Sequence, residues 1–256
     1  LGAEVLHVTK PTKDGKQWEK DDYLQRSKKS IAVDLKSPEI IASLKELVKE
    51  YDIVVEQFRP GVMTRLGLGY EVLKEVNPRI IYCSITGYGQ TGPYRDRAGH
   101  DINYVSMSGI QGYSGTKEGG TANLGIQVAD LAGGSLHAVI GILSSVIYRN
   151  RTGIGQHLDI SMTDCALTLN ALFAQDYLEQ GKPLHREELL LNGGSFYGYY
   201  ETMDGRHISV GSLEPKFRQQ LCEAIGRPDL LPLAMSFKPA DDAKLKEQLQ
   251  HMFLRK

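Results

Sequence analysis

Three side chains that can exchange protons lie in the middle of this chain. His100 and Asp101 follow a glycine-rich loop, and Asp130 opens a later apolar segment. Each aspartate is placed to cap the start of a helix, where a side-chain oxygen accepts backbone N–H groups. Two acid/base groups on separate helix starts could flank one carbon atom, remove a proton from one face and return it on the other. Helix N-termini would also stabilise the negative charge that develops on an enolate oxygen.

Each of the three residues also has a purely structural interpretation. A lone histidine is weak support for catalysis, and either aspartate could be a plain N-cap. The pair Gly133-Gly134, one turn after Asp130, favours function, because small residues let a ligand or another backbone approach closely. The dipole of a helix that begins at Asp130 would also favour an anionic carboxylate there.

The loop before His100 contains a stretch, residues 87–92 (GYGQTG), that fits the G-x-G-x-x-G pattern of dinucleotide-binding loops. In such a loop the last glycine opens a helix that faces the pyrophosphate. Here residues 93–97 (PYRDR) lack apolar residues at helical spacing, and no strand ending in Asp or Glu follows at the expected distance. We therefore expect a loop that lines the ligand crevice of a parallel sheet, with a nicotinamide oxidoreductase as the less favoured alternative.

Apolar patterning predicts the elements that must position these residues. Alternating or short apolar runs predict strands, and apolar residues at helical spacing predict helices. The predicted strands are residues 4–8, 30–35, 53–56, 79–85, 156–161, 198–202 and 207–210, and the predicted helices are 39–51, 101–110, 131–148, 164–180, 214–225 and 243–253. Strand and helix alternate in the N-terminal third, which predicts an α/β fold with βαβ units and a parallel sheet. Asp204-Gly205 predicts a hairpin turn.

Composition argues against several classes of protein. The 30 Lys and Arg residues against 31 Asp and Glu give a net charge of -1, so we expect no non-specific binding to nucleic acid. Cys83, Cys165 and Cys222 are too far apart for a CxxC metal pair, and we expect neither a metal site nor a disulfide framework. The longest apolar stretch, residues 136–147, is short and interrupted, which predicts no membrane partner. No signal-peptide pattern follows Leu1, so we expect a cytoplasmic protein, with an organelle as the alternative.

Longer motifs resemble those of a known family. The stretches are LGAEVLHVTKP (1–11), VEQFRPGVMTRLGLGYE (55–71), NPRIIYCSITGYGQTGP (77–93), AGHDINYVSMSG (98–109), RTGIGQHLDISMTD (151–164) and DGRHISVGSLEPKF (204–217). In this order they resemble the family III CoA-transferase superfamily (CaiB/BaiF type), which includes formyl-CoA transferases, carnitine CoA-transferases and α-methylacyl-CoA racemases. The resemblance covers nearly the whole chain. His100, together with the Glu214-Pro215-Lys216-Phe217 stretch, makes the chain most similar to the racemase branch.

The resemblance to racemases implies roles for four side chains. His100 and Asp130 would be the two acid/base groups. Asp101 and Glu214 would be supporting carboxylates, with Glu214 orienting His100 or stabilising its charge. An ordinary acidic residue in the first turn of a helix is the alternative for Glu214. In the transferases, the aspartate that matches Asp130 attacks the thioester and carries the acyl group as a mixed anhydride.

The resemblance also implies a set of residues that bind coenzyme A, namely Lys10, Gln57, Phe58, Arg65 and Arg97. These types suit CoA, because Lys and Arg pair with its phosphates and an aromatic ring or guanidinium plane can stack on adenine. A solvated basic face is the alternative for each Lys and Arg. Lys10 stands where we expect arginine in many relatives, and it lacks the forked geometry of arginine. No metal or separate cofactor is implied, because the CoA is part of the substrate.

The family's architecture implies a large Rossmann-like domain over residues 1–191 and a smaller α+β domain, of which residues 192–256 would be the first part. The family also implies an interlocked homodimer. The first strand and helix of the large domain and the end of the small domain would then lie outside this sequence. The leading prediction is a racemase or epimerase that inverts the α-carbon of a 2-methylacyl-CoA thioester through an enolate. The alternative is transfer of CoA between carboxylic acids through an Asp130 anhydride. His100, Asp130 and Glu214 together argue against a further alternative, an acyl-CoA sensor without catalysis.

Overall fold

Short strands and helices make up this protein, whose computed structural model describes residues 2–11 and 23–255. The strands are β1 (Leu6–Thr9), β2 (Lys29–Ala32), β3 (Ile53–Glu56), β4 (Ile81–Thr86), β5 (His157–Ser161), β6 (Gly198–Glu201) and β7 (His207–Val210). The α-helices are α1 (Pro38–Val48), α2 (Val62–Arg65), α3 (Tyr70–Val76), α4 (Asp101–Met107), α5 (His137–Thr152), α6 (Met162–Thr168), α7 (Ala174–Gln180), α8 (Pro215–Ala224), α9 (Leu231–Ala234) and α10 (Pro239–Phe253). A π-helical segment, Ala129–Leu136, leads directly into α5.

The described part of the chain forms two compact units. The first contains Leu1–Ala98 and Gly134–Met162, and the second contains Gly99–Gly133 and Thr163–Lys256. Neither unit ends at residue 191. The division into a large domain over 1–191 and a small domain from 192 stays a prediction, because it rests on the family's full-length architecture.

A parallel three-stranded sheet in the order β3-β4-β5 forms part of the first unit, and β1 and β2 form a separate parallel pair. β4 is the central strand, in which Tyr82 is paired with Val54 on one side and Cys83 with Leu158 on the other. Its residues are almost all buried, which explains why exposed polar and buried apolar residues do not alternate along this strand. The prediction of an α/β fold with parallel strands is confirmed.

An N-cap hydrogen bond and a buried arginine side chain hold two helices of the first unit in place. The Ser37 hydroxyl accepts the Ile40 N–H at 3.4 Å, which caps the start of α1. At the end of α5, the buried Arg149 guanidinium lies 3.0 Å from the Asp52 carboxylate and donates to the Asp52 and Arg79 carbonyls at 3.2 and 3.4 Å. Since those carbonyls lie just before β3 and β4, α5 is tied to the start of both strands.

The second unit has its own apolar core and contains the predicted hairpin. β6 and β7 pair antiparallel, with Tyr199 opposite Ser209, and Gly205 in the turn has a φ of 74°. The core joins this hairpin to the C-terminal helices through the buried residues Phe196, Tyr200, Val210, Cys222, Leu230, Ala234, Leu245, Leu249 and Phe253. The helix predicted from residue 243 begins earlier, at Pro239, because a first-turn proline lacks only an N–H that would be unpaired there.

The prediction of one continuous helix over residues 164–180 is wrong, because the chain forms α6 and α7 with a break between them. Asn170 lies in the break and is buried. Its side-chain amide donates to the Ser108 carbonyl at 2.7 Å, and its oxygen accepts the Tyr113 hydroxyl at 2.6 Å. These long-range hydrogen bonds satisfy polar groups that would otherwise be buried without partners, and they compensate for the interrupted helix.

The apolar segment after Asp130 forms a longer helical run than predicted, since Ala129–Leu136 and α5 continue to Thr152. By length and composition alone, Ala129–Thr152 could cross a bilayer, and 22% of its most apolar window is buried. A single helix that meets this test of length and composition is weak support for a membrane span. The absence of a membrane partner stays a prediction.

Candidate active site

An open cleft in the second unit collects most of the residues predicted to transfer protons. Its volume is about 320 Å³. The lining residues are His100, Asp101, Ile102, Val105, Gln111, Asn123, Leu124, Ile126, Gln127 and Asp130. The fold therefore brings His100, Asp101 and Asp130 to one cavity, where apolar side chains from α4 and from residues 124–126 complete the walls.

The start of α4 positions His100 and Asp101. His100 is the N-cap residue, and Asp101 is the first residue of the helix. The His100 N–H donates to Asn103 Oδ1 at 3.0 Å, and the Tyr104 hydroxyl donates to the Gly99 carbonyl at 2.6 Å. The prediction that Asp101 caps this helix is therefore wrong by one residue. The Asn103 side chain already accepts the N–H of the N-cap residue, His100. The Asp101 carboxylate is therefore not needed to cap α4 and can bind another part of the chain.

The Asp101 carboxylate caps the helical run that carries Asp130. Its Oδ1 accepts the Asp130 N–H at 2.9 Å. Asp130 is the second residue of Ala129–Leu136 and not its N-cap, which corrects the placement expected from sequence. A carboxylate satisfies the unpaired N–H groups of a first helical turn and is favoured by the helix dipole. One hydrogen bond thus joins the two helix starts that line the cleft.

The surroundings of Asp130 change its acidity. Burial raises the pKa of its carboxyl group above the ordinary value, the neighbouring Asp101 charge raises it further, and His100 acts in the opposite direction. A raised pKa brings a carboxyl group closer to the pH at which it can both accept and return a proton. The position and the pKa of Asp130 therefore suit acid/base chemistry.

The glycine pair after Asp130 has at least one structural role. A Cβ atom on Gly134 would lie 3.0 Å from Met162 Cγ and 3.3 Å from Ile85 Cγ2. The small residue therefore allows the helix to pack closely within the first unit, which is one of the two interpretations suggested by the sequence.

The fourth predicted carboxylate, Glu214, is the exposed N-cap residue of α8 and makes no capping hydrogen bond with its side chain. It is not among the residues that line the cleft. Its role in orienting His100 stays a prediction.

The first three predicted CoA-binding residues follow strands of the first unit. Lys10 lies just after β1, and Gln57 and Phe58 lie just after β3, and all three are exposed. The Glu56 carboxylate, which is largely buried, accepts the Phe58 N–H at 2.8 Å. Glu56 therefore holds the turn that presents Phe58 to solvent, although the sequence motif does not single it out.

Two arginines approach a turn in the same unit. Arg65 Nη1 and Arg95 Nη2 would lie 3.3 and 3.7 Å from a Cβ atom on Gly61, whose φ is +79°. Guanidinium groups that converge in this way favour a bound anion such as a phosphate. Arg95 is therefore a further candidate for binding a phosphate, together with the predicted Arg65. In the sequence, the only sign of this was that Arg95 lies two residues before the predicted Arg97. The Arg97 guanidinium lies over the Tyr94 ring, 5.4 Å from its centroid.

The GYGQTG loop is held by the sheet and does not lead into a helix. The Gln90 N–H donates to Asp159 Oδ2 at 2.9 Å, and Gly89 has a φ of +83°. Residues 93–98 form turns and coil. A dinucleotide-binding loop needs a helix at this point, so the structure agrees with the expectation of a crevice loop. Within residues 2–11 and 23–255, no group of three or more His, Cys, Asp or Glu side chains gathers as a metal site would require.

The cleft is lined by one imidazole and two carboxylates, and the chain also contains a parallel α/β unit. These features are typical of an enzyme that uses acid/base or carboxylate chemistry. The family model of CoA-transferase family III matches residues 1–256. The chain therefore belongs to CoA-transferase family III, which confirms the family predicted from its motifs.

Two sequence relatives and one solved structure show what this chain is similar to. α-Methylacyl-CoA racemase of Homo sapiens is 37% identical over 261 residues, which cover 100% of this chain and 66% of that protein. Succinyl-CoA:glutarate CoA-transferase of Homo sapiens is 36% identical over 242 residues, or 90% of this chain and 55% of that protein. A CAIB/BAIF family protein from Brucella suis superposes with a TM-score of 0.79 and 32% identity over 100% of this chain and 72% of that chain.

The chain thus spans slightly less than two thirds of the length of the racemase relative. A racemase and a transferase are almost equally similar to it, so identity alone does not distinguish the two reactions.

Proposed function

We propose that the full-length protein is a racemase or epimerase that inverts the α-carbon of a 2-methylacyl-CoA thioester. The observation that carries this proposal is that His100 and Asp130 line one cleft. An imidazole and a carboxyl group are the two side chains needed for proton transfer at opposite faces of one carbon. The family membership and the 37% identity to a racemase support the same reaction.

In the proposed reaction, one of these two groups takes the α-proton as the C–H bond breaks. The electron pair moves toward the thioester carbonyl, and an enolate forms. The other group, protonated, gives its proton to the opposite face and restores the C–H bond. The same number of protons enters and leaves, and nothing is oxidised or reduced. N–H groups at the two helix starts would stabilise the enolate oxygen.

The lining of the cleft is mixed. Ile102, Val105, Leu124 and Ile126 offer apolar contacts to a branched aliphatic acyl group. The side chains of Gln111, Asn123 and Gln127 offer amide donors and acceptors to polar atoms of a substrate. The lining is therefore compatible with the proposed 2-methylacyl group.

The test is proton exchange in deuterium oxide with the full-length protein and a single enantiomer of a 2-methylacyl-CoA. We expect deuterium at the α-carbon and loss of optical purity, and both should fall by about 100-fold or more in His100→Gln and Asp130→Asn, because each removes a proton-transfer group. His251→Gln, an exposed histidine on α10, is the matched control. Unchanged exchange in His100→Gln would overturn the proposal.

The second candidate is CoA transfer between carboxylic acids, which the position of Asp130 in the cleft and the 36% identity to a transferase support. In that reaction, the Asp130 carboxylate attacks the thioester carbon, the C–S bond breaks, and an acyl anhydride and free CoA thiolate form. It predicts an intermediate at Asp130 that hydroxylamine traps, and turnover that depends on an acceptor acid. Exchange of the α-proton in acyl-CoA alone, with no trapped adduct, would favour the racemase.

Further properties follow from the resemblance to the family and remain proposals. The protein would act as an interlocked homodimer in the cytoplasm and would need no metal or separate cofactor. Its CoA would contact Lys10, Gln57, Phe58, Arg65 and Arg97. We propose no nucleic-acid partner and no membrane partner.

A further inference from the structure

One wall of the cleft is built by a loop that is held from elsewhere in the second unit. This wall loop, residues 111–124, contributes Gln111 at its start and Asn123 and Leu124 near its end to the lining of the cleft. The Gln111 side chain donates to the Ala122 carbonyl, which brings the two ends of the loop together. A change in the path of the wall loop would therefore change the shape of the cleft.

Arg186 ties three points of the wall loop to one side chain. Its Nε donates to the Ser114 carbonyl at 2.8 Å, and its Nη2 donates to the Gln111 carbonyl at 3.5 Å and to the Thr121 hydroxyl. These acceptors are uncharged and belong to the start, the middle and the end of the loop. A planar guanidinium carries five donors in fixed directions, and lysine could not reproduce these contacts.

Neighbours of Arg186 add further contacts to the same loop. The Asn192 side chain donates to the Tyr113 carbonyl at 3.0 Å, and the Lys117 N–H donates to Glu187 Oε2 at 2.8 Å. Lys117 also pairs with Glu188 at 3.0 Å. The exposed Lys117 pair contributes little to stability. Arg186 and Asn192 therefore make the partly buried contacts that hold the loop, and Arg186 makes more of them.

We propose that Arg186 is a positioning residue that sets the acyl-chain preference of the cleft by holding the wall loop. This rests on the proposed function, since it assumes that the α-carbon lies between His100 and Asp130. The rest of the acyl chain must then lie against the other lining residues, among which Leu124 belongs to the wall loop. We expect a short acyl chain to make fewer contacts with this wall than a long acyl chain.

The experiment compares a short and a long substrate in the full-length protein, 2-methylpropanoyl-CoA and 2-methyldecanoyl-CoA. The ratio of kcat/KM for α-proton exchange, long over short, should fall about tenfold in Arg186→Lys, which keeps the charge and loses the fork. The kcat for the short substrate should be unchanged. Thr121→Val, which removes one acceptor, should lower the ratio in the same direction. A general loss of stability would not change a ratio between two substrates.

Arg206→Lys is the matched control, because Arg206 is an exposed arginine on the hairpin that pairs with Asp204. Its ratio should equal that of the unmodified protein. Calorimetric binding of both acyl-CoAs is measured in parallel. Absence of exchange in the unmodified protein would overturn the proposed function, while the binding ratio would still test Arg186. If Arg186→Lys does not fold, Thr121→Val decides. An unchanged ratio in every folded variant, in exchange and in binding, would overturn the positioning role.

Discussion

The Asp101 carboxylate has two effects on Asp130. It accepts the Asp130 N–H at 2.9 Å, and its charge adds to the effect of burial in raising the pKa of Asp130. The sequence shows both residues, but nothing in their spacing shows that one caps the helix of the other. A local capping rule assigns each aspartate to its own helix, whereas in the fold His100 is the N-cap of α4 and the Asn103 side chain accepts the His100 N–H.

Asp101→Asn separates the two effects, because asparagine keeps an acceptor oxygen and loses the charge. Without the neighbouring negative charge, the pKa of Asp130 should fall toward its ordinary value. Asp130 would then lose its proton at a lower pH, so the acidic limb of any exchange rate that needs the Asp130 carboxylate should move to lower pH. The pH profile of α-proton exchange and a carbon NMR titration of the Asp130 carboxyl group both measure this shift.

Glu247→Gln is the control for Asp101→Asn, because Glu247 is an exposed carboxylate on α10. It should leave the profile where it is. A limb that stays in place or moves to higher pH in Asp101→Asn would contradict the influence assigned to the Asp101 charge.

Among the elements, the turn before β5 shows how a single glycine permits the sheet to form. The Gly155 N–H donates to the Pro78 carbonyl at 2.9 Å, and a Cβ atom on Gly155 would lie 1.9 Å from the Ile80 carbonyl oxygen. The chain therefore crosses directly over the start of β4 before it pairs with that strand. Since the obstacle is backbone, it cannot move aside as a flexible side chain could.

Gly155→Ala should lower the free energy of unfolding by about 3 kcal/mol, because the added methyl group forces the turn away from β4. Urea unfolding followed by circular dichroism measures the loss. Gly198→Ala is the matched control, since a Cβ atom there has no neighbour within 4 Å. Equal unfolding midpoints for the two variants would contradict the close crossing at Gly155.

At the scale of the whole molecule, α5 and the segment before it present an apolar stripe. Leu136, Ile140, Leu143 and Ile147 are spaced along one helical face, and each is more than half exposed. Contiguous exposed apolar side chains in a protein of this kind usually mark an interaction surface. The homodimer proposed from the resemblance would give this stripe a partner.

Ile140→Glu should therefore weaken self-association of the full-length protein by about tenfold or more, because a buried interface does not accept an unpaired carboxylate. Sedimentation velocity over a range of concentrations measures the dimer fraction. Ser43→Glu adds the same charge at an exposed polar position of a different helix, α1, and should have little effect. The same dimer fraction in both variants would show that this stripe is not the association surface.

The amino-acid sequence by itself determined the local features of this protein. Apolar periodicity was sufficient for the parallel strands and the hairpin, because a strand or a tight turn is governed by the residues within it. The motifs were sufficient for the family and for the types of group at His100, Asp101 and Asp130. They also indicated that GYGQTG would not lead into a helix, since the following residues lack the necessary pattern.

Tertiary structure decided the contacts between residues that are distant in sequence. Asn170 interrupts a predicted helix because its partners, Ser108 and Tyr113, belong to another part of the chain. Arg186 reaches the wall loop, and Asp101 reaches the helix of Asp130, for the same reason. Hydrogen bonding and burial depend on which segments the fold brings together, and no local propensity carries that information.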